Sequence, residues 1–456
     1  MPNSQVPHYL RLSATHEPAL RLRYETGVQA VQDYLDGRLA KLQGRFRVTS
    51  RPSSDWALAA PHAPSPLLSL DHLVIPVRVD DSALDEFRRE TIALYGESAI
   101  GADLSAGTGE YWCPRTPDQA LFGTRAQAGD LILAEALSEN GLDGGAVNLV
   151  IVDRGLDKDF VNNFNGNKNF QGGWKHTNPY DTTQVHLPGA TIGEEAAHGR
   201  MMVRNILDLA PRANIWDLPL LPPRIWDIGV FISDAQAAFD TMLNDIANHL
   251  GKRWAGPWIL VNAWAVFDRR SETPLGDYTN RLTHPFNATI AQAVAEGRDV
   301  VFCAGNCGQF CPDERCGPWD IGPGQDVLGA NSHPDVISVG AVRVDAMWLG
   351  YSSQGPGQSN MAHHKPDLCA PSGFAETADA HTGNTGTSAA SAVAAGVVAA
   401  LRSRPAWAPG LVPPGTVRQI LNHTARKTQG PHWNQGLGHG IIDVRAAVGE
   451  LTTLFP

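Results

Sequence analysis

The sequence has little positive charge, no long apolar run and few cysteines, and each shortage excludes a class of protein. Its 456 residues carry 47 acidic and 36 basic side chains, and the formal net charge of -11 disfavours a nucleic-acid partner. No stretch is long and apolar enough to cross a membrane. Six cysteines in a chain of this length do not make a disulfide-stapled scaffold. With no low-complexity tract and no internal repeat, the composition indicates a globular protein with one large domain and a smaller one.

The beginning of the chain lacks the pattern of a secretory signal. From Met1 through Ala30 the residues carry charges and include no apolar core of the kind that a signal peptide requires. We therefore expect a cytoplasmic protein without a membrane partner, unless the chain is exported by another route.

Residues 1–115 are predicted to form a separate, smaller α+β region. Apolar residues at helical spacing predict a helix over Val28–Leu42. Arg51–Leu67 is rich in proline, serine and alanine, which is typical of a linker. A strand over His72–Val79 and a helix over Asp81–Tyr95 follow. The rest of the chain, residues 116–456, is predicted to be the main domain.

A buried strand in the main domain ends in a carboxylate. The run from Val147 to Asp153 is almost continuously apolar, as in strands that are covered on both faces of a parallel sheet. Binding and catalytic groups in such α/β sheets lie at the carboxyl ends of the strands, where Asp153 is expected. Gly155 allows the chain to turn away. Taken alone, Asp153 is as readily interpreted as the cap of a turn.

One histidine stands out among the 16 in the chain by its flanking residues. His198 is followed directly by Gly199 and by a helix with Val203, Ile206 and Leu207 on its apolar face. Taken alone, a His-Gly pair is more typical of an ordinary surface histidine.

A third polar residue follows another predicted strand. The apolar run that starts at Asp299 passes through Ala304 and Gly305 to Asn306. Asn306 is thereby expected at the carboxyl end of a strand, where α/β sheets form their sites. By itself, however, a Gly-Asn pair more often forms a turn.

Four of the six cysteines lie close together, at positions 303, 307, 311 and 316. Their spacing is not that of paired Cys-x₂-Cys zinc ligands. Three interpretations stay open: a zinc site, a disulfide among Cys307, Cys311 and Cys316, or reduced thiols with Cys303 buried. Because this stretch adjoins Asn306, its oxidation is expected to change activity.

Ser388 lies where a loop of small residues enters an alanine- and valine-rich helix. Gly386 and Thr387 allow a tight turn, which puts Ser388 at or next to the helix N-cap. Free backbone N–H groups and the positive end of the helix dipole lie there, a setting that suits a nucleophilic serine. Small residues such as Ala394 and Gly396 predict a closely packed helix. A capped core helix is the alternative interpretation.

Together these motifs resemble the subtilisin-like serine proteases, or subtilases. The similar segments are Val150–Asp157, Glu194–Val203, Ala304–Asn306, Gly386–Ser391, Tyr351–Pro356, Lys365–Pro371 and Gly438–Val448. They follow the family's order of Asp, His and Ser and extend over about residues 120–456. The sequence departs from the family pattern at Arg200 and Met201, where threonine and histidine are usual, and at Ala392, where proline is usual.

The resemblance implies an α/β fold in which helices flank a subtilisin-like parallel sheet, and a serine endopeptidase activity. It assigns Asp153, His198 and Ser388 to a catalytic triad and Asn306 to the oxyanion hole. The family's chemistry needs no cofactor. Members often bind calcium for stability, but no calcium ligand set is evident in the sequence, and we assign no metal ligand.

The resemblance also predicts substrate-binding residues. It places Trp264, Ala265 and Val266 at one wall of the primary specificity pocket, together with Gly305. The family usually has serine and glycine on that wall, so the larger side chains are expected to narrow or reshape the pocket. Core packing by Trp264 is the alternative.

The expected substrate is a protein or peptide. Residues 1–115 are interpreted as a propeptide that helps the enzyme fold and blocks its cleft, or as a structural or partner-binding domain. We expect a protease regulated by this region, with a regulatory protein as a possible partner. The alternative function is a protease-shaped binding or scaffold protein with a closed, inactive cleft, although such a protein has no need of all four site residues.

Overall fold

The computed structural model of the chain describes residues 4–20, 27–49, 56–59, 71–108, 121–177, 185–220, 231–250, 254–378, 382–428, 430 and 432–456. These residues form a small antiparallel sheet with two helices and a large, mostly parallel sheet that has helices on both faces. The α/β fold class predicted from the sequence is therefore confirmed.

The small sheet is built around one long N-terminal strand that pairs with β4 along its whole length. Its strands, in spatial order, are β2 (Phe46–Val48), β4 (His72–Asp80), β1 (Gln5–Ser13) and β5 (Ile100–Ala102). Helices α1 (Val28–Arg38) and α2 (Leu84–Tyr95) pack their apolar side chains against this sheet. The predicted strand over His72–Val79 and the two predicted helices are confirmed. In each helix, one end of the predicted range is a 3₁₀ turn rather than α-helix: Ala40–Leu42 after α1 and Asp81–Ala83 before α2.

Part of the predicted linker is a strand of the large sheet. Residues Trp56–Ala59 form β3, which pairs antiparallel with β7 (Phe170–Thr177). Trp56 is buried and stacks on His176, with ring centroids 4.3 Å apart. Burial of this aromatic surface outweighs the local composition, so the linker prediction is wrong for these four residues. The other residues of the predicted linker lie outside the described residues.

The large sheet has the spatial order β13-β12-β11-β10-β6-β9-β7-β3, and β8 also pairs with β7. All neighbours from β13 to β7 are parallel, and β3 and β8 pair antiparallel at one edge. The strands not yet given are β6 (Asn148–Asp153), β8 (Val185–His186), β9 (Asn214–Pro219), β10 (Trp258–Asn262), β11 (Asp299–Cys303), β12 (Ile337–Val342) and β13 (Leu368–Pro371). A two-stranded ribbon, β14 (Phe374–Ala375) and β15 (Gly383–Asn384), precedes the serine helix.

Helices cover both faces of the sheet. They are α3 (Arg125–Ile132), α4 (Glu135–Glu139), α5 (Lys158–Asn163), α6 (Ala197–Leu209), α7 (Phe231–Asp245, continued by a π-turn over Ile246–Leu250), α8 (Pro285–Ala295), α9 (Gly386–Arg402), α10 (Pro414–Thr424) and α11 (Val444–Leu454). Within the described ranges, no helix is long and apolar enough to cross a membrane.

Helix α9 is the centre of the core, because every one of its residues is buried. A Cβ atom on Gly396 would lie 3.1 Å from the carbonyl oxygen of Ile206 in α6, so α6 and α9 pack backbone to backbone. This close approach confirms the expectation that the small residues of the serine helix serve tight packing.

Ion pairs join the small sheet to the main domain. Arg11 in β1 pairs with Asp240 in α7 at 2.8 Å, and both side chains are largely buried. Arg88 in α2 pairs with Asp277 at 2.6 Å, and the other oxygen of Asp277 accepts the N–H of Ala102 at 2.6 Å. Removal of one partner from such a buried pair would leave a charge without compensation, so these contacts hold the two parts in one arrangement.

Candidate active site

The carboxylate of Asp153 and the imidazole of His198 form a buried pair at the carboxyl end of the parallel sheet. Asp153 is the last residue of β6, and His198 lies in the first turn of α6. His198 Nδ1 is 2.7 Å from Oδ2 and 2.9 Å from Oδ1 of Asp153. Because a carboxylate only accepts, Nδ1 donates the proton in this hydrogen bond. Among the described residues, Nε2 has no hydrogen-bond partner.

Two glycines permit this pairing. Gly155 has a φ of +113°, which lets the chain turn sharply after Asp153. A Cβ atom on Gly199 would lie 2.6 Å from the carbonyl oxygen of Gly155, so a larger residue would push α6 away from the loop. The start of α6 therefore packs directly on the loop after β6, and this contact holds His198 against Asp153.

The two departures from the family pattern after His198 have partners of their own. Arg200 Nη2 donates to Asp157 Oδ2 at 2.5 Å. Burial opposes ionisation of Asp157, but the Arg200 guanidinium and the N–H of Phe160 outweigh it and lower the pKa of that carboxyl. The sulfur of Met201 accepts the backbone N–H of Thr385 at 3.4 Å, just before the serine helix. Both residues fix the loops beside the pair, so these departures leave its geometry intact.

Ser388 is the third residue of α9 and is buried. The N-cap is Thr385, so Ser388 lies inside the first turn rather than at the cap itself, and its backbone N–H has no acceptor within the helix. Its Oγ donates to the carbonyl oxygen of Ala263, which follows β10, at 3.4 Å. No hydrogen bond joins the described side chains of Ser388 and His198 in this form. Catalytic hydrogen bonds often tighten only when substrate binds.

Asn306 is tied to the serine helix through Thr387. Its Oδ1 accepts the backbone N–H and the hydroxyl of Thr387, both at 2.9 Å. The same hydroxyl accepts the N–H of Gly305 at 3.2 Å. Because a backbone N–H needs an oxygen as its acceptor, these contacts fix the orientation of the amide and direct its Nδ2 away from Thr387. Thr387 was missed as a positioning residue in the sequence, where its place directly before Ser388 is the only signal.

The predicted substrate-binding residues take different places. The ring of Trp264 is fully buried and packs on Phe231 and Phe302, so the alternative of core packing describes this side chain. Val266 is also a core residue. Ala265 offers its backbone groups rather than its methyl group, and Gly305 lies beside Thr387.

A segment of the N-terminal region pairs with this part of the backbone. Residues 103–108, here named the cleft segment, follow β5. The N–H of Gly107 donates to the carbonyl oxygen of Ala265 at 3.0 Å, and the N–H of Ala265 donates back to Gly107 at 3.2 Å. This antiparallel pair leaves Thr108 buried between two arginines, Arg154 and Arg315. The sequence signal for this contact is weak, since only Arg154 adjoins a predicted site residue.

A disulfide closes the loop after Asn306. Cys307 and Cys316 are bonded, which excludes both zinc ligation and reduced thiols for these two residues. Cys303 is a free thiol, and burial raises its pKa to about 12. Inside the loop, the N–H of Asp313 donates to the carbonyl oxygen of Asn306 at 2.9 Å. In the part of the chain that the structure describes, no group of three or more His, Cys, Asp or Glu side chains is placed to hold a metal ion.

A comparison with models of protein families gives a match to the part of the chain that carries Asn306 and Ser388. The model described as the subtilase family matches residues 233–440. Residues 233–440 belong to the subtilase family. This segment is just under half of the chain; it includes Asn306 and Ser388, whereas Asp153 and His198 precede it. A search of curated protein sequences gives no significant match.

Solved structures extend the similarity to the whole chain. Fervidolysin from Fervidobacterium pennivorans, described as a keratinolytic enzyme related to subtilisin, is 16% identical with a TM-score of 0.56 over 98% of this chain. The similarity covers 61% of fervidolysin, so this chain spans less than two thirds of that protein. MycP1 of the ESX-1 type VII secretion system is 16% identical with a TM-score of 0.47, and covers 76% of this chain and 90% of MycP1. The subtilase part and the fervidolysin-like fold agree with the resemblance seen in the sequence.

Proposed function

We propose that the chain is a serine endopeptidase of the subtilase type, with Ser388 as nucleophile, His198 as general base and Asp153 as the residue that orients His198. The observation that carries this proposal is the His198–Asp153 pair, which leaves Nε2 of a buried imidazole without a partner among the described residues. An imidazole held in this tautomer is suited to take a proton from a hydroxyl. The family match over Ser388 and Asn306 supports the same assignment.

The mechanism follows from the groups at the site. Ser388 Oγ turns from the carbonyl of Ala263 towards His198, attacks a substrate carbonyl and passes its proton to Nε2. Asp153 stabilises the imidazolium that forms. The N–H groups of Asn306 Nδ2 and of the Ser388 backbone stabilise the oxyanion. The proton then goes to the leaving amine, and water hydrolyses the acyl-enzyme by the same route.

The N-terminal region is proposed to hold this enzyme in a latent form. Asp153 and His198 have no exposed surface, and Ser388 retains 1%. The cleft segment occupies the backbone groups of Ala265, to which the resemblance assigns substrate binding. A protein substrate must therefore displace the cleft segment before it reaches Ser388.

Fluorophosphonate labelling, read by intact mass, tests the assignment. Wild type is expected to gain one label at Ser388, and Ser388→Ala is expected to gain none. Ser391→Ala is a matched control, because Ser391 is buried one turn further along the same helix and its hydroxyl only donates to the Ser388 carbonyl at 2.8 Å. Labelling that persists in Ser388→Ala would overturn the assignment.

One observation favours the alternative of a protease-shaped binding protein, namely the complete burial of the His198–Asp153 pair. The same experiment separates the two functions when it is repeated on a variant whose cleft segment is released, such as Gly107→Pro. Labelling of the released variant supports the protease. No labelling of a folded, released variant supports the binding protein.

The remaining expectations concern substrate, calcium and compartment. The substrate is proposed to be a protein or peptide. Among the described residues, no group of three or more His, Cys, Asp or Glu side chains is placed to hold the calcium that family members often bind, so its site stays unassigned. The Cys307–Cys316 disulfide favours an oxidising compartment, in contrast to the cytoplasmic location expected from the first thirty residues.

A further inference from the structure

Ser353 contacts the backbone on both sides of Asn306. Its N–H donates to the carbonyl oxygen of Gly305 at 2.9 Å, and its hydroxyl accepts the N–H of Cys307 at 3.1 Å. Ser353 has no exposed surface, and Asn306 retains 4%. Hydrogen bonds buried in this way are not weakened by competing water. The residues directly before and after Asn306 are therefore held by one and the same residue.

The hydroxyl of Ser353 is closely packed and oriented. Gly305 has a φ of +111°, and a Cβ atom there would lie 2.8 Å from Ser353 Oγ. The hydroxyl also forms a hydrogen bond with the buried carboxyl of Asp326. Both oxygens of that carboxyl accept the N–H of Gln354, at 3.0 and 3.2 Å. These contacts fix the rotation of the hydroxyl, so a lone pair of Oγ stays directed at the N–H of Cys307.

Ser353 lies in a segment that no step of the proposed mechanism uses. Tyr351–Pro356 is one of the segments that resemble the subtilases. It pairs with the loop after β11, where the N–H of Gly308 also donates to the carbonyl oxygen of Tyr351 at 2.8 Å. Within this pairing, Ser353 is the residue that contacts both neighbours of Asn306.

The amide of Asn306 is held from two directions. Thr387 fixes its oxygen through two hydrogen bonds of 2.9 Å, and Ser353 fixes the backbone from which the amide extends. An oxyanion exists only during the reaction, and a donor that is already in place needs no rearrangement at that moment. We propose that Ser353 is a positioning residue that holds Asn306 in place for stabilisation of the oxyanion. This inference rests on the proposed function, because it adds a residue to the same site.

The first test compares two neighbouring serines in the full chain. Ser352 is the matched control, because it is equally buried and its hydroxyl accepts the N–H of Ala341 in β12 at 2.9 Å. Ser353→Ala and Ser352→Ala each leave one buried N–H without its acceptor, so similar losses of Tm are expected. The kcat for a peptide substrate is expected to fall about tenfold in Ser353→Ala at an unchanged KM, and to change less than about twofold in Ser352→Ala. Equal kcat values for the two variants overturn the inference.

A double-mutant cycle tests whether Ser353 acts through Asn306. Asn306→Ala removes the donor that Ser353 is proposed to hold. In this background, Ser353→Ala is expected to change kcat by less than about twofold, because no amide is left to position. A merely structural contribution would lower kcat to the same degree with and without Asn306. A fall of about tenfold in both backgrounds would show that Ser353 acts on another group.

The conservative variant Ser353→Thr gives a second comparison. It keeps a hydroxyl that is able to accept the N–H of Cys307. Its kcat is therefore expected to exceed that of Ser353→Ala, even if the added methyl group lowers Tm. A folded threonine variant that is no more active than the alanine variant contradicts the inference.

The two failures are distinguishable. Hydrolysis that depends on Ser388 but is insensitive to Ser353→Ala overturns the inference and leaves the proposed function standing. Absence of any hydrolysis that depends on Ser388 overturns the proposed function and the role in the oxyanion hole with it. Exchange of the Cys307 amide hydrogen, followed by NMR, needs no catalysis and is expected to be about tenfold faster in Ser353→Ala than in Ser352→Ala. Equal exchange rates overturn the hold of Ser353 on this backbone in either case.

Discussion

Gly107 and Ala265 exchange both of their backbone hydrogen bonds, at N–O distances of 3.0 and 3.2 Å. The pair lies just beyond β10, and Ala263, two residues before Ala265, accepts the Ser388 hydroxyl. When backbone groups such as those of Ala265 have no partner within the protein, they commonly bind an extended peptide as an added strand. The cleft segment is part of the same chain, so its effective concentration exceeds that of a free substrate. In the proposed function, this contact is what would keep a substrate from Ser388.

Release of this contact is expected to increase the reactivity of Ser388. Gly107→Pro removes the N–H that donates to Ala265 and leaves the main domain unchanged. Loss of one such hydrogen bond shifts an equilibrium by about 1 kcal/mol, so we expect the rate of fluorophosphonate labelling to rise about fivefold. Gly107→Ala is the control, because it keeps the N–H. Its Cβ atom would meet two side-chain atoms, Arg315 Nη1 at 3.1 Å and Phe267 Cε2 at 3.9 Å. Equal labelling rates for wild type and Gly107→Pro would show that the cleft segment does not restrict the site.

Replacement of Asp153 is expected to remove catalysis without loss of the fold. An asparagine amide in Asp153→Asn would donate to the imidazole and favour the wrong tautomer, so kcat for a peptide substrate is expected to fall about 10⁴-fold. The measurement is steady-state kinetics beside the Tm of each variant. Asp157→Asn is the matched control four residues further on; loss of its contact with Arg200 is expected to cost stability but to change kcat little. A kcat for Asp153→Asn near that of wild type would contradict the assigned role.

The sequence was sufficient to locate the residues whose place follows from local pattern. Asp153 ends an apolar run and is the last residue of β6. Ser388 lies in the first turn of the predicted helix, although the N-cap is Thr385 rather than Ser388 or its neighbour. The parallel sheet follows from the same alternation of apolar runs and helices. The place of His198 was harder to predict from its local pattern. Its contact with Asp153 depends on the close packing of Gly199 against Gly155, which no local pattern encodes.

The contacts that were missed are long-range ones. β3 lies in a segment with the composition of a linker, and only the burial of Trp56 against His176 makes it a strand. Gly107 and Ala265 are far apart in the sequence, and neither stands in a run with strand periodicity. Arg315 lies in an irregular loop whose path depends on the Cys307–Cys316 disulfide. Such contacts depend on the tertiary fold, so composition and periodicity do not predict them.

The disulfide is expected to support both stability and activity. The double variant Cys307→Ser, Cys316→Ser opens a short loop, and in the chain-entropy model this costs about 2–3 kcal/mol. The same loop brings Asp313 to the carbonyl of Asn306, so kcat is expected to fall together with Tm. Cys303→Ser is the control, because Cys303 is a buried cysteine that forms no disulfide. It measures the effect of replacing a sulfur atom by oxygen without opening a loop. Unchanged activity in the double variant would show that the loop does not position Asn306.

Asp103, the first residue of the cleft segment, is expected to make the free energy of unfolding depend on pH. Asp103 is buried, and burial raises its pKa to about 7, although its Oδ1 accepts the N–H of Ser233 at 3.0 Å. An unfolded aspartate has a pKa of about 4, so between these values the folded state keeps a proton that the unfolded state has lost. The contribution of the protonated Asp103 carboxyl to the free energy of unfolding is therefore fully present below about pH 4. It is lost as the pH rises through about 7. In Asp103→Asn this part of the Tm profile is expected to flatten, whereas Asp85→Asn, at an exposed carboxylate, should keep the wild-type slope. Parallel profiles for wild type and Asp103→Asn would show that Asp103 does not titrate in this window.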